Sequence, residues 1–227
     1  MRKLNILILI LSISVSCSEE NKSDKYANTI TSEDLQNLLE IFSSDEFQGR
    51  QTGQYGEKLA VNFLRDFYIE NGIKPAENTD NYFQSYQLNL PGGMYTRSYT
   101  FPESLRGYDK LATGENFVDT QNVVSIITGE TYPESYIIIT GHLDHVGVDG
   151  EDVYNGADDN GSGTVSILEI AQAFKEAIKD GVRPKRSIVF LHVSGEEEGL
   201  LGSEYYVNNS LYPIDNTFVN INLDMIG

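Results

Sequence analysis

Ser135-Tyr136-Ile137-Ile138-Ile139-Thr140-Gly141-His142-Leu143-Asp144 is an apolar run that stops at a glycine and then delivers an imidazole and a carboxylate. Such a run reads as a strand over 135–140 buried on both faces, as in a parallel sheet. Two more runs follow the same plan. Ser187 to Val193 leads through Ser194-Gly195 into Glu196-Glu197-Glu198, and Phe218 to Leu223 leads into Asp224. Between the first two runs, Ile167, Leu168, Ala171, Phe174 and Ile178 recur at helical spacing, ending before Gly181. Asp158-Asp159-Asn160-Gly161-Ser162-Gly163 forms the approach to that helix. With a strand over Val123 to Thr128 and a short helix over Gly199 to Asn208, the order is β-β-α-β-α-β. That alternation predicts an α/β fold, an open mixed and mostly parallel sheet with helices on both faces. Open sheets of this kind place their chemistry beyond the carboxyl ends of the strands.

The amino-terminal half is read by the same rules. Thr31-Ser32-Glu33-Asp34 starts a helix carrying Leu35, Leu38, Leu39 and Phe42. Ser44 to Arg50 reads as a loop. Gly56 opens a second helix with Leu59, Ala60, Phe63, Leu64 and Phe67 on one face, stopped at Gly72. A strand is expected over Tyr82 to Leu90, a turn at Pro91-Gly92-Gly93 and a further strand near Tyr95 to Phe101.

The chain has 227 residues and a net charge of -18, and 40% of it is hydrophobic. This suits one domain with a sizeable core. So acidic a chain repels phosphate backbones, which excludes nucleic acid as an expected partner. Arg2, Lys3 and the apolar stretch from Leu4 to Val15 read as a signal peptide over residues 1–16. Cys17 is the only cysteine, so no internal disulfide can form. Its position resembles a bacterial lipoprotein signal, with lipid on its thiol and membrane contact only through that lipid. Residues 17–30 then read as the lipidated cysteine and a flexible tether, and residues 31–227 as the folded domain. The expected location is outside the cytoplasm, either membrane-anchored as a lipoprotein or periplasmic or extracellular.

Four segments carry the candidate chemistry, each with a plainer alternative. His142 with Asp144 fits a metal-bound imidazole backed by a carboxylate, or simply a surface loop. Asp158 fits a carboxylate shared by two cations, or a helix cap. Glu196-Glu197-Glu198 fits one metal ligand beside one proton-transfer group, or a solvated acidic turn. Asp224, if buried at its strand end, needs a partner. Together they supply the nitrogen and oxygen donors that zinc takes.

Gly141-His142-Leu143-Asp144-His145, Gly156-Ala157-Asp158-Asp159-Asn160-Gly161-Ser162-Gly163, Gly195 to Ser203 and Asn222-Leu223-Asp224-Met225 resemble the motifs of the secreted di-zinc aminopeptidases. These are family twenty-eight of the metallopeptidases, related to glutamate carboxypeptidase and glutaminyl cyclase. Ser43 to Arg50 also looks like this family. The resemblance implies a zinc exopeptidase-like fold and a peptide substrate. By that resemblance His142 and Asp224 bind the first zinc, Asp158 bridges, Glu197 binds the second, Glu196 is the general base and Asp144 stands behind His142. It also implies a cis peptide between Asp158 and Asp159. The family takes a further histidine from a later segment, and neither His145 nor His192 occupies that place. The expectation is a domain lacking its C-terminal part, holding one zinc where the complete family site holds two. The activity expected is hydrolysis of amino-terminal peptide bonds. Two alternatives stay open: a carboxypeptidase acting on acidic or capped peptides, and an inactive metal- or peptide-binding lipoprotein.

Overall fold

The computed structural model describes residues 22–89 and 117–227. The expected signal peptide, Cys17 and the strand expected near Tyr95 lie outside the described residues. The helices are α1 (Lys22–Ala27), α2 (Ser32–Phe42), α3 (Tyr55–Glu70), α4 (Gly163–Lys179) and α5 (Leu201–Asn208). The strands are β1 (Lys74–Pro75), β2 (Phe83–Asn89), β3 (Phe117–Ile127), β4 (Tyr132–His142), β5 (Val148–Asp149), β6 (Asp152–Val153), β7 (Arg186–Val193) and β8 (Thr217–Asn222).

One sheet runs β1-β3-β7-β4-β8, with β2 also paired to β3. The pairs β7–β4 and β4–β8 are parallel, while β3 runs antiparallel to β7, β2 and β1. Parallel pairing is therefore confined to one half of the sheet, less of it than the sequence pattern predicts. The reason is that β3 enters in the opposite sense, and β7 inserts between it and β4. Because β7, β4 and β8 share one direction, their carboxyl ends share one rim.

Each face of the sheet is covered, as the uninterrupted apolar runs of β4 and β7 demand. Phe42, Leu64 and Tyr68 from α2 and α3 pack with Ile167 and Leu168 of α4 on Val123, Ile139, Ile188 and Phe190. On the opposite face Tyr206 of α5 and Tyr212 pack on Ile138, Val189, Leu191 and Val193. Burying a side chain of this size contributes roughly 1.5–3 kcal/mol, so the two layers fix the height of the rim. His192 is enclosed in the sheet, its Nε2 2.7 Å from Tyr68 Oη. By contrast Phe218, Val219 and Ile221 of β8 are exposed.

Residues 22–27, expected within a flexible tether, form α1. Lys25 Nζ lies 2.5 Å from Asp180 Oδ2, and Tyr26 Oη donates to the same carboxylate. The polar composition of this segment hid a helix held by two contacts to the end of α4. Among the described residues no helix is long and apolar enough to cross a membrane.

Candidate metal centre

The rim beyond β4, β7 and β8 gathers three loops. β4 ends on His142, whose main-chain carbonyl accepts from Thr164 Oγ1 in α4 at 2.7 Å. β7 ends on Val193, and Gly195, at φ 74°, turns the chain so that Glu196 and Glu197 face back across the rim. Past β8, Leu223 N still bonds to Thr140 O at 2.8 Å, which brings Asp224 level with His142. A fourth segment, Ala157–Ser162, rises in front of α4 from Gly156 at φ 53°. Its cis peptide lies between Asp159 and Asn160, one residue later than expected from the resemblance.

His142 Nε2 is 3.1 Å from Asp159 Oδ1, 3.6 Å from Asp224 Oδ1 and 3.9 Å from Glu196 Oε2. The imidazole is buried, whereas the Asp159 and Asp224 side chains are 39% and 41% exposed. Donor atoms of His142, Asp159 and Asp224 lie within 4.8 Å of one another, and so do those of His145, Asp159 and Glu197. Asp159 belongs to both groups. One imidazole and several carboxylate oxygens form a donor set that suits zinc.

Asp158, expected to be the shared carboxylate, faces elsewhere. Its Oδ1 accepts from Ser162 Oγ at 3.0 Å and from Gly227 N at 3.0 Å. Adjacent residues on a turn point apart, so only one of this pair reaches the imidazole. Asn160 then ties the loops together. Its Nδ2 donates to Leu223 O at 2.9 Å, and its Oδ1 accepts from Gly163 N and Met225 N.

Asp144 is fully buried behind this cluster. The His142 Nδ1 contact is to the main-chain oxygen of Asp144 at 3.1 Å, and the nearer carboxylate oxygen is 3.8 Å away. The carboxylate instead accepts from Glu196 N, Glu197 N and Thr52 Oγ1 at 3.2, 3.3 and 2.9 Å. It therefore holds the glutamate turn to the β4 loop. Burial pushes its carboxyl up to about 6, opposed by the nearby His142 and by the Thr52 hydroxyl.

Three features of the site were not assigned a role from sequence. Arg50 is completely buried and sends all its described hydrogen bonds to main-chain carbonyls: Phe42, Leu143, Asn155 and Gly156. It fastens the end of α2 to the His142 and Asp159 loops. Its charge also sits beside Asp144, Asp159 and Glu197. Glu57 of α3 accepts from Gly53 N, Thr120 Oγ1 and Ser194 Oγ, holding the residue from which the glutamate turn springs. His145 Nδ1 is 2.7 Å from Glu197 Oε1, and this pairing holds the Glu197 carboxyl below its ordinary range. Glu196 is displaced the opposite way, because burial disfavours its charge.

The parallel-sheet rim and its histidine–carboxylate cluster define an α/β protein of zinc aminopeptidase fold. BSAP, a zinc aminopeptidase from Bacillus subtilis, superposes with a TM-score of 0.59 at 16% identity, covering 86% of this chain and 69% of that one. Residues 122–227 match the model of peptidase family M28. A probable aminopeptidase of Saccharomyces cerevisiae is 41% identical over 85 residues, covering 36% of this chain and 23% of that protein. Carboxypeptidase Q of Xenopus laevis is 39% identical over 89 residues, covering 39% and 17%. The matched part of the chain thus spans less than a quarter of these two curated relatives.

Proposed function

We propose that the chain carries the metal centre of a zinc-dependent exopeptidase that releases amino-terminal residues. His142, Asp159 and Asp224 would hold one zinc, and Glu197 with Asp159 would hold a second. Zinc, when bound, supplies Lewis acidity to the scissile carbonyl and acidifies water. Glu196 is the general base. It projects from the same turn as Glu197 beside His142, and its raised carboxyl lies nearer the working pH than an ordinary glutamate. It takes the proton of the attacking water and returns it to the leaving amine. Asp144 keeps Glu196 and Glu197 in place through their main-chain N–H groups.

One observation favours an amino-terminal over a carboxy-terminal substrate. A cavity of about 380 Å³ opens beside the cluster, with His142, Glu196 and Asp224 at one end and Ile138, Leu191 and Val207 further in. Among the described residues no lysine or arginine lines it. Arg50, the basic group beside the carboxylates, has its guanidinium turned to carbonyls. A substrate ammonium group is complementary to the carboxylates of Glu196 and Asp224 at the end of this cavity. The probable aminopeptidase among the relatives agrees with this reading, and carboxypeptidase Q makes the comparison worth testing. Export through residues 1–16 and lipid on Cys17 belong to the same proposal, supported by the sequence pattern.

The test is hydrolysis of matched aminoacyl and carboxy-terminal reporter peptides, with zinc content measured alongside. Zinc-dependent cleavage of aminoacyl reporters is expected, lost by at least about a hundredfold in Glu196→Gln with zinc retained. Preferential cleavage at the carboxy terminus, or undiminished turnover in Glu196→Gln, overturns the assignment.

A further inference from the structure

We propose that Glu57 is a positioning residue for the hydrolysis: acting through Ser194, it sets where the Glu196 carboxylate stands. This rests on the zinc reading above and goes beyond it, since Glu57 belongs to α3 and reaches the site only through its neighbours.

Glu57 is the third residue of α3 and is completely buried. Its Oε2 accepts from Gly53 N at 2.8 Å and lies 3.3 Å from Lys58 Nζ. A contact of that kind serves the start of a helix, and one carboxylate oxygen at the surface is enough for it. The other oxygen serves something else. Oε1 accepts from the hydroxyls of Thr120 and Ser194, and Ser194 lies 137 positions along the chain, just past the end of β7. A carboxylate is costly to remove from water unless its oxygens are bonded, and this one spends its second oxygen on the root of the glutamate turn.

Ser194 is itself buried and held at three points. Its N–H donates to Asn122 Oδ1 at 3.1 Å, its carbonyl accepts from Tyr86 Oη at 2.9 Å, and its hydroxyl donates to Glu57. Of the three, only the bond to Glu57 is made to a carboxylate, the stronger kind of acceptor. Gly195 and Glu196 follow directly. The turn's next support is the pair of bonds from Glu196 N and Glu197 N to Asp144, and at 3.2 and 3.3 Å these lie at the long end for such contacts. The placement of Glu196 therefore depends on Ser194. Glu57 also steadies the second support, because Gly53 follows Thr52, whose hydroxyl donates to Asp144 Oδ2 at 2.9 Å. One buried carboxylate thus anchors both ends of the frame around the base.

The experiment compares the full chain with Glu57→Gln, Ser194→Ala and the double variant. Hydrolysis of aminoacyl reporters is measured with zinc bound, and amide hydrogen exchange by magnetic resonance without zinc. Each single variant should lose about tenfold or more in kcat with KM within about threefold, since a small misplacement of a catalytic group costs this much. The double variant should be no slower than the slower single, because both remove the same link. Exchange at Glu196 N and Glu197 N should quicken by about tenfold or more in Ser194→Ala while Val189 N in β7 is unchanged. Losses that multiply in the double variant, an unchanged kcat in either single, or exchange that quickens equally at Val189 overturns the positioning role while leaving the zinc reading intact. An unaltered chain without zinc-dependent hydrolysis sinks the zinc reading, and this one with it. Ser194→Ala leaves the bond from Gly53 N to Glu57 in place, so it carries the test if Glu57→Gln fails to fold.

Discussion

Replacing Arg50 by methionine should destabilise the protein by about 3–5 kcal/mol, in the range for breaking a buried charged network. The guanidinium donates to the carbonyls of Leu143 at 2.9 Å, Phe42 at 3.0 Å, Asn155 at 2.7 Å and Gly156 at 2.8 Å. Each hydrogen bond to a charged group is worth roughly 1.5–3 kcal/mol net, so the four together hold something like 6–12 kcal/mol. Against this stands the cost of burying the charge. Desolvation pulls the Arg50 pKa from 12.5 to about 10. That difference corresponds to roughly 3 kcal/mol. The remainder is roughly 3–9 kcal/mol, and water entering the vacated space recovers some of it. The guanidinium carbon lies 4.5 Å from the centre of the Phe42 ring, so methionine, which keeps an apolar stem of similar length, removes that cation–π contact together with the hydrogen bonds. Arg50→Lys should lose less, because an ammonium can satisfy some of these acceptors but cannot span carbonyls from three loops. Urea denaturation followed by circular dichroism gives the values. A loss below about 1 kcal/mol in Arg50→Met would refute the clamp.

Three further outcomes are expected. Asp159→Asn should lower zinc affinity at both subsites while Asp158→Asn leaves it within a few fold, as read by competition with a chromogenic chelator; the reverse order would return the shared role to Asp158. Gly202→Ala should cost about 1–3 kcal/mol or more in urea denaturation. Its Cβ would stand 2.0 Å from Ser194 O and 2.6 Å from Tyr86 Oη; an unchanged midpoint would contradict that packing. Burial holds the His192 pKa down at about 3, so the folded state refuses a proton that the unfolded chain accepts below about 6.5. Stability is therefore unaffected by this group above that pH and falls as pH drops toward 3, by up to about 1.4 kcal/mol per unit. Measured against His192→Phe, in which the slope is removed, the unaltered chain should lose about 2 kcal/mol between pH 7 and pH 5; parallel pH profiles would refute the buried neutral imidazole.

The rim was legible in the sequence because burial on both sides makes β4 and β7 continuous apolar runs. The first polar residues after such runs must sit at a sheet edge, which placed His142, Glu196, Glu197 and Asp224. The choice between Asp158 and Asp159 was not legible. Two neighbouring carboxylates on a turn differ only in direction, and direction depends on the path from Gly156 to Gly163. His145 escaped for a related reason, since its partner Glu197 is 52 positions away and only the fold joins them. Arg50 lay in a stretch read as a loop, where an arginine is usually solvated. Nothing local reveals that four carbonyls from three separate segments converge on it. The helix α1 was missed because two polar contacts to Asp180, not a periodic apolar face, dock it.

The direct measurement is an anomalous-scattering map at the zinc edge from crystals of the zinc-loaded chain. Two peaks roughly 3.5–4 Å apart, flanking the Asp159 carboxylate with His142 and Asp224 at one and Glu197 at the other, are the expected result. No peak on this rim, or peaks centred on Asp158, would contradict it.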